Sequence, residues 1–224
     1  MPQLNFKMIG CEVLGHAATP TIAFKLQIDN ADSGQSIHSI VLRCQIQIET
    51  IRRRYVPAEQ DRLSELYGEP QRWAQTLRSM LWTQVHSNIA GFVGQTVTDL
   101  PLPCSFDFNV AATKYLASLE GGEVPLLFLF SGTVFYEERD RGLQVEQIPW
   151  DRESNFRLPI AVWREMMSRY YPNERWLSLR ADIFDRIAEY KRKRQISTWD
   201  QTWESLLSSA EQVDDAAMFV GKAS

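Results

Sequence analysis

The chain has few of the residues from which sites are usually built. Its 224 residues include three Cys and three His. Cys11, Cys44, Cys104, His16, His38 and His86 show no CxxC, HxxxH or comparable spacing, so no tetrahedral metal site is preorganised in the sequence. An odd number of cysteines without paired spacing points to a reducing compartment. Phosphate-cradling loops are missing too: GHAATPT and GFVGQT match neither the P-loop nor the dinucleotide fingerprint. FSGTVF (130–135) has only the second glycine of a nucleophile elbow, and it sits inside a strand pattern. Positive charge is not in excess: the net charge of −4 argues against a whole-chain electrostatic footprint for nucleic acid or anionic membrane. The most apolar run, VPLLFLFSGTVFY (124–136), is shorter than the roughly 20 residues of a spanning helix and contains Pro and Gly. The opening MPQLNFKMIGCEV has no apolar core of a secretory signal. The expectation is a cytoplasmic protein without a membrane span, metal, cofactor or motif-defined catalytic residue.

What is present is periodic hydrophobicity. Hydrophobic residues make up 44% and charged residues 23%, as expected of a globular chain that buries a core without staples. TIAFKLQI (21–28) and IVLRCQIQIE (40–49) alternate with a period of two, the mark of half-buried antiparallel strands. LNFKMIGCEVL supplies an earlier strand, with Gly10 as a bulge candidate. At 57–81 the period becomes helical, broken at Gly68 and Pro70 into two short helices. VAATKYLASL (110–119) reads as a short helix ending at Gly121-Gly122. PLLFLFSGTVFYEE (125–138) and LQVEQIPW (143–150) flank a charged loop as a hairpin, the first strand apolar enough on both faces to be central and covered on both sides. From Phe156 the pattern is helical, with Pro159 at a first-turn position, followed by amphipathic stretches at 179–194 and 197–209. The expected fold class is α+β: an antiparallel β-sandwich-like core with a helical insert and a C-terminal helical part. The expected domains are a sheet domain over 1–155 with its insert at about 57–81, C-terminal helices over 156–209 packing on it, and a flexible tail over 210–224.

LPLPCSFDFNV (100–110) holds the most reactive-looking group. Counting along it puts Leu100, Leu102, Cys104, Phe106, Phe108 and Val110 on one face and Pro101, Pro103, Ser105, Asp107 and Asn109 on the other. Cys104 thus takes a core slot, and prolines without a ladder donor mark an edge strand. A hydrolase-like site assembled from distant residues, Cys104 or Asp107 with His86, stays open as an alternative. So does nucleic-acid binding through Arg52–Arg54 and Lys191–Arg194, although cations at a helix end also complement its dipole.

IPWDRESNFRLPIAVWR (148–164) mixes Trp and Arg with carboxylates at a strand-to-helix junction. Trp150, Asp151, Arg152, Arg157, Trp163 and Arg164 are the candidate partner surface, since Trp and Arg anchor interfaces; the same residues also suit a junction held by Arg–carboxylate pairs.

The block from LPLPCSFDFNV through SGTVFY, LQVEQIPWD, FRLPIAVWREMM and YYP resembles an uncharacterised bacterial family whose genes neighbour those of high-affinity [NiFe] hydrogenases. The resemblance runs from about Leu100 to Trp203 and weakens before it. It implies an accessory role in hydrogenase assembly, maturation or function, with a hydrogenase subunit or maturation factor as protein partner. It supplies no catalytic residue. The leading expectation is a non-catalytic accessory or interaction protein.

Overall fold

The computed structural model describes residues 2–32, 34–104, 110–138, 141–172, 177 and 179–221. The fold is α+β, with two antiparallel sheets and helices concentrated towards the C-terminus. Two compact units divide the chain, 1–174 and 175–224.

The first unit holds all the strands found among the described residues. Sheet A has the order β1 (Leu4–Val13), β2 (Thr21–Asn30), β6 (Gln95–Pro103). Sheet B runs β4 (Met80–Ile89), β3 (Ser36–Ile48), β7 (Glu123–Glu138), β8 (Gly142–Gln147), with β5 (Phe92–Val93) on β3 and β9 (Glu153–Pro159) on β7. Alternation decides which side chains face inward. Phe24 of β2 meets Trp82, Phe128 and Phe156 of sheet B edge to face, and Phe6 of β1 stacks on Phe130 at 4.9 Å between ring centres. These aromatic pairs join the two inner faces into one core.

The bulge expected at Gly10 is present as a register shift between Met8 and Gly10. The insert forms α1 (Pro57–Tyr67), a 3-10 turn at Pro70–Arg72 and α2 (Trp73–Thr76), after which the chain extends into β4 at Met80. It is fastened by a buried ion pair. Glu59 Oε1 accepts from Arg53 Nη2 at 2.9 Å and from the Glu120 N–H at 2.8 Å, while Arg53 also donates to the Gly121 carbonyl at 2.6 Å. One carboxylate thereby ties the exit of β3, the first turn of α1 and the end of α3 (Val110–Ser118). Breaking a buried pair by removing one partner costs roughly 3–5 kcal/mol, because the other charge is left uncompensated.

Two details differ from the sequence reading. The chain does not turn helical at Phe156. Residues 153–159 form β9, with Ser154 and Leu158 buried and Glu153, Asn155 and Arg157 on the outward side, and α4 (Ile160–Tyr170) begins after Pro159. The alternation is short, and the first-turn proline that signalled a helix serves equally as the end of a strand. β7 is central as expected, but its outward Leu127 and Leu129 are half-buried rather than fully covered.

The second unit contains α5 (Ala181–Lys193) and α6 (Trp199–Gly221). Phe184 packs against Trp199 at 5.2 Å, and the Tyr190 hydroxyl lies 2.8 Å from Ser205 Oγ.

Gly132 fixes how closely β7 can approach β3. Its φ is +137°, and an added Cβ would fall 2.1 Å from the Val41 carbonyl oxygen. Gly132→Ala should lower stability by about 3 kcal/mol in urea unfolding, from strained backbone plus a clash that neither strand can relieve. Gly10→Ala, with nothing within 4 Å and no positive φ, should change it by less than about 1 kcal/mol. Equal effects at the two positions would contradict this account.

Candidate functional site

Along one side of β7, β8 and β9 follow each other. Thr133–Glu138 pair with β8, and Glu123–Leu129 pair with β9. The chain between them, residues 148–152, leaves the sheet and returns as a turn. Its backbone is anchored at three points: Ile148 N–H donates to the Gly132 carbonyl at 2.9 Å, Arg152 N–H to Pro149 at 3.3 Å, and Phe130 N–H to the Arg152 carbonyl at 2.9 Å. The turn is therefore tied to β7 by its backbone, although Trp150 at its tip is 91% exposed.

Behind the turn lies a cavity of about 200 Å³, lined by Pro2, Gln3 and Leu4, by Val134, and by Glu146–Pro149 and Arg152. Glu146 sits opposite Val134 on the inward side of β8, so its carboxylate points to the margin of the core rather than to the outward face. Glu146 Oε2 and Arg152 Nε are both buried without a hydrogen-bond partner, and among the described residues neither side chain makes an ion pair.

In front, the outward face of sheet B carries an apolar strip. Register places Phe135 beside Val145, Val41 beside Thr133, and Glu137 beside Leu143. Val145 is 59% exposed and Leu143 55%, and Val41 is exposed as well. Among the described residues β8 pairs with β7 alone, so its other edge carries backbone donors and acceptors outside any ladder.

The residues singled out in the sequence are distributed unevenly around this region. Trp150 and Asp151 are exposed on the turn, and Arg152 lines the cavity. Arg157 shares the outward sheet face and lies 4.0 Å from Glu123. Trp163 is a core residue, 6% exposed, so it belongs to the packing of α4 and is out of a partner's reach. Arg164 is exposed on α4 and bonds the Leu119 carbonyl. Glu146 was missed by sequence reasoning, since one Glu in an alternating polar strand looks solvated. The signal available was its parity, which puts it on the same face as the core residue Ile148.

The other candidates are held apart. Cys104 is 8% exposed; its N–H donates to Pro20 at 2.7 Å, and its Sγ lies 3.4 Å from the Leu102 carbonyl. β6 ends at Pro103, and Asp107 lies outside the described residues. His86 is exposed on the outward side of β4 in register with Arg43, with no hydrogen bond to Cys104. Of the basic runs, Arg52 pairs with Glu49, Arg53 is consumed by Glu59, Lys191 donates to the carbonyls of Ile196 and Ser197, and Lys193 pairs with Glu189. Among the described residues no three His, Cys, Asp or Glu side chains gather as metal ligands, and no helix is long and apolar enough to cross a membrane.

Burial pushes the thiols of Cys44 and Cys104 up to about 12, and Cys11, half-buried and next to Glu12, up to about 11. A thiolate nucleophile needs the opposite shift.

The family model described as "Family of unknown function (DUF6084)" matches residues 1–215. No curated protein matches the chain in sequence. Among solved structures, the solution structure of a provisionally assigned late embryogenesis abundant (LEA) protein aligns at 12% identity over 71% of this chain and 73% of that one, with a TM-score of 0.31. A β-glucosidase from Kluyveromyces marxianus, solved with glucose, aligns at 9% identity over 70% of this chain and 15% of that one, with a TM-score of 0.25. The provisionally assigned ApaA protein from Bordetella pertussis aligns at 11% identity over 70% and 93%, with a TM-score of 0.25. Likenesses this distant carry no argument about fold or ligand.

The thiols give the chain an alkaline signature. Up to the ordinary thiol value of 9.0, folded and unfolded states are both protonated and full stability is present. Above it the unfolded chain releases protons that the folded chain retains, so stability falls as pH rises towards 12, by up to about 1.4 kcal/mol per pH unit for each buried thiol. Urea unfolding at pH 8 and pH 10 should show a shallower loss for the Cys44→Ala/Cys104→Ala variant than for the parent. Identical losses, or rapid thiol labelling of the folded parent at Cys104, would show that the thiols are accessible.

Proposed function

We propose that this chain, which belongs to the DUF6084 family of unknown function, is a non-catalytic accessory protein that docks an extended segment of a partner polypeptide along β8. The observation that carries this reading is the coincidence of a free strand edge with exposed apolar side chains. Leu143 and Val145 stand on the outward face of a strand that, among the described residues, is paired on one side only, and the exposed Trp150 follows three residues after its end. A strand edge supplies a partner with a row of backbone hydrogen bonds, and alternate apolar side chains supply selectivity. A tryptophan on a turn anchored by backbone hydrogen bonds loses less entropy on binding than one on a loose loop. Asp151 adds a charge next to it in the chain, and the strand edge explains why apolar residues occur where solvent would be expected.

The partner we propose is a [NiFe] hydrogenase subunit or maturation factor, met in the cytoplasm. The resemblance of residues 100–203 to the hydrogenase-neighbouring family supports it. A hydrolase-like activity finds less support, because Cys104 is buried and His86 faces the other way.

The test is direct capture in a bacterium that carries both this chain and a [NiFe] hydrogenase. The tagged chain should retain a hydrogenase component, identified with antibody to each subunit, and a Val145→Lys/Trp150→Ala variant with unchanged melting temperature should lose at least about 90% of it. Deleting the gene should lower hydrogen uptake. No hydrogenase component on the parent chain, together with unchanged uptake in the deletion strain, ends the proposal.

A further inference from the structure

The second unit hides little of its apolar surface. Among its described residues only Thr202 is buried, while Leu177 is 68% exposed, Phe184 45% and Trp199 41%. These three side chains, with Leu179, Ile187 and Trp203, line an open groove of about 660 Å³. Two helices that cover each other so sparsely gain little from their own packing, and an apolar patch left open on a globular chain marks a binding surface.

Charge indicates what belongs there. Among the described residues the one charged side chain lining the groove is Asp185. α6, which supplies Trp199 and Trp203, carries Asp200, Glu204, Glu211, Asp214 and Asp215 and has no Lys, Arg or His from 199 to 221. Among the described residues Asp185, Asp200, Glu204 and Glu211 make no ion pair; the carboxylates of this unit that do, Asp182 and Glu189, are paired within their own neighbourhood by Arg180 and Lys193. The cations gather on the other helix. Lys191 donates to the carbonyls of Ile196 and Ser197, Arg194 lies over the Tyr190 ring, and Arg186 and Arg192 stand exposed on α5. A cationic occupant is thus repelled along α5 and attracted along α6.

The walls set its shape. Trp199, Trp203, Leu206 and Ala210 follow one another at steps of four, three and four, the spacing of a helix seam that packs against another helix. The groove lies on helices whose backbone groups bond internally, so it offers no ladder to an extended segment, whereas a helix satisfies its own backbone. A second copy would bring another acid-only α6 to the same face and set like charges together. We propose that this groove docks an amphipathic helix of a partner protein, apolar on the face that enters the groove and bearing lysine or arginine along the flank beside α6.

This docking is separate from that of an extended segment at β8 and does not rest on it. The β8 test alters Val145 and Trp150; this one alters Leu177 and Asp185, so either can fail alone.

The probe is a labelled peptide of about three heptads with leucine at a and d and lysine at e and g, titrated with the full chain and read by fluorescence polarisation. It should bind and gain helical circular dichroism. Its counterpart with glutamate at e and g, and a scrambled lysine peptide that lacks the seam, should each bind at least about tenfold more weakly. Asp185→Lys should weaken the lysine peptide about threefold or more and strengthen the glutamate peptide, and Leu177→Lys should weaken the lysine peptide about fivefold or more. Both positions are exposed, so melting curves within a few degrees of the parent establish that the fold persists. No polarisation change at about 100 µM chain overturns the proposal. So does equal binding of the lysine, glutamate and scrambled peptides, or unchanged binding by both folded variants. A parent that sediments as a dimer, which Leu177→Lys dissociates, would give the groove to a second copy and overturn it as well.

Discussion

The long antiparallel pairing of β3 with β7 is the constraint on which the rest of this structure depends. It runs without interruption from Ile48 opposite Leu126 to Ser39 opposite Phe135, and it carries the inward residues of both strands into one wall of the core. Gly132 lies at its middle, where a side chain would collide with the Val41 carbonyl. With that pairing made, β4 can extend the sheet beyond β3, and everything on the other side of β7 must share a single edge.

That sharing creates the functional region. A sixteen-residue strand offers more edge than either β8 or β9 can occupy, so the two dock in tandem and the chain between them must leave the sheet. The excursion presents Trp150 outward and Arg152 inward, while β8 is left as a short terminal strand with one open edge. Both the apolar strip in front and the charged cavity behind follow from one topological fact. The backbone at Glu146 and Arg152 is held by ladder and turn hydrogen bonds.

Much of the fold was legible beforehand because its strands bury one face and solvate the other. The alternation in 21–28 and 40–49, the bulge at Gly10, the breaks at Gly68 and Pro70, and the 125–150 hairpin all express local rules that need no partner strand. Less of the site was legible. Trp150 and Trp163 look equivalent in a sequence, since both sit among Arg and carboxylates, yet one is fully presented and the other closes the core under α4. The runs at Arg52–Arg54 and Lys191–Arg194 likewise look like free positive charge, whereas most of these side chains hold carboxylates or carbonyls of their own chain.

By itself, then, the sequence determined the class of object: periodicity two and 3.6, a central apolar strand, few ligating residues, and a cysteine at 104 whose parity put it in the core. These are properties of single segments, set by solvent on one side and packing on the other. Only the tertiary structure decided that β8 and β9 divide one edge of β7, that Phe156 belongs to a strand, and that Glu146 and Arg152 line one cavity without meeting. Such facts depend on which strands pair and in what register, a choice made by long-range packing among Phe24, Phe128 and Phe156 that no local pattern encodes.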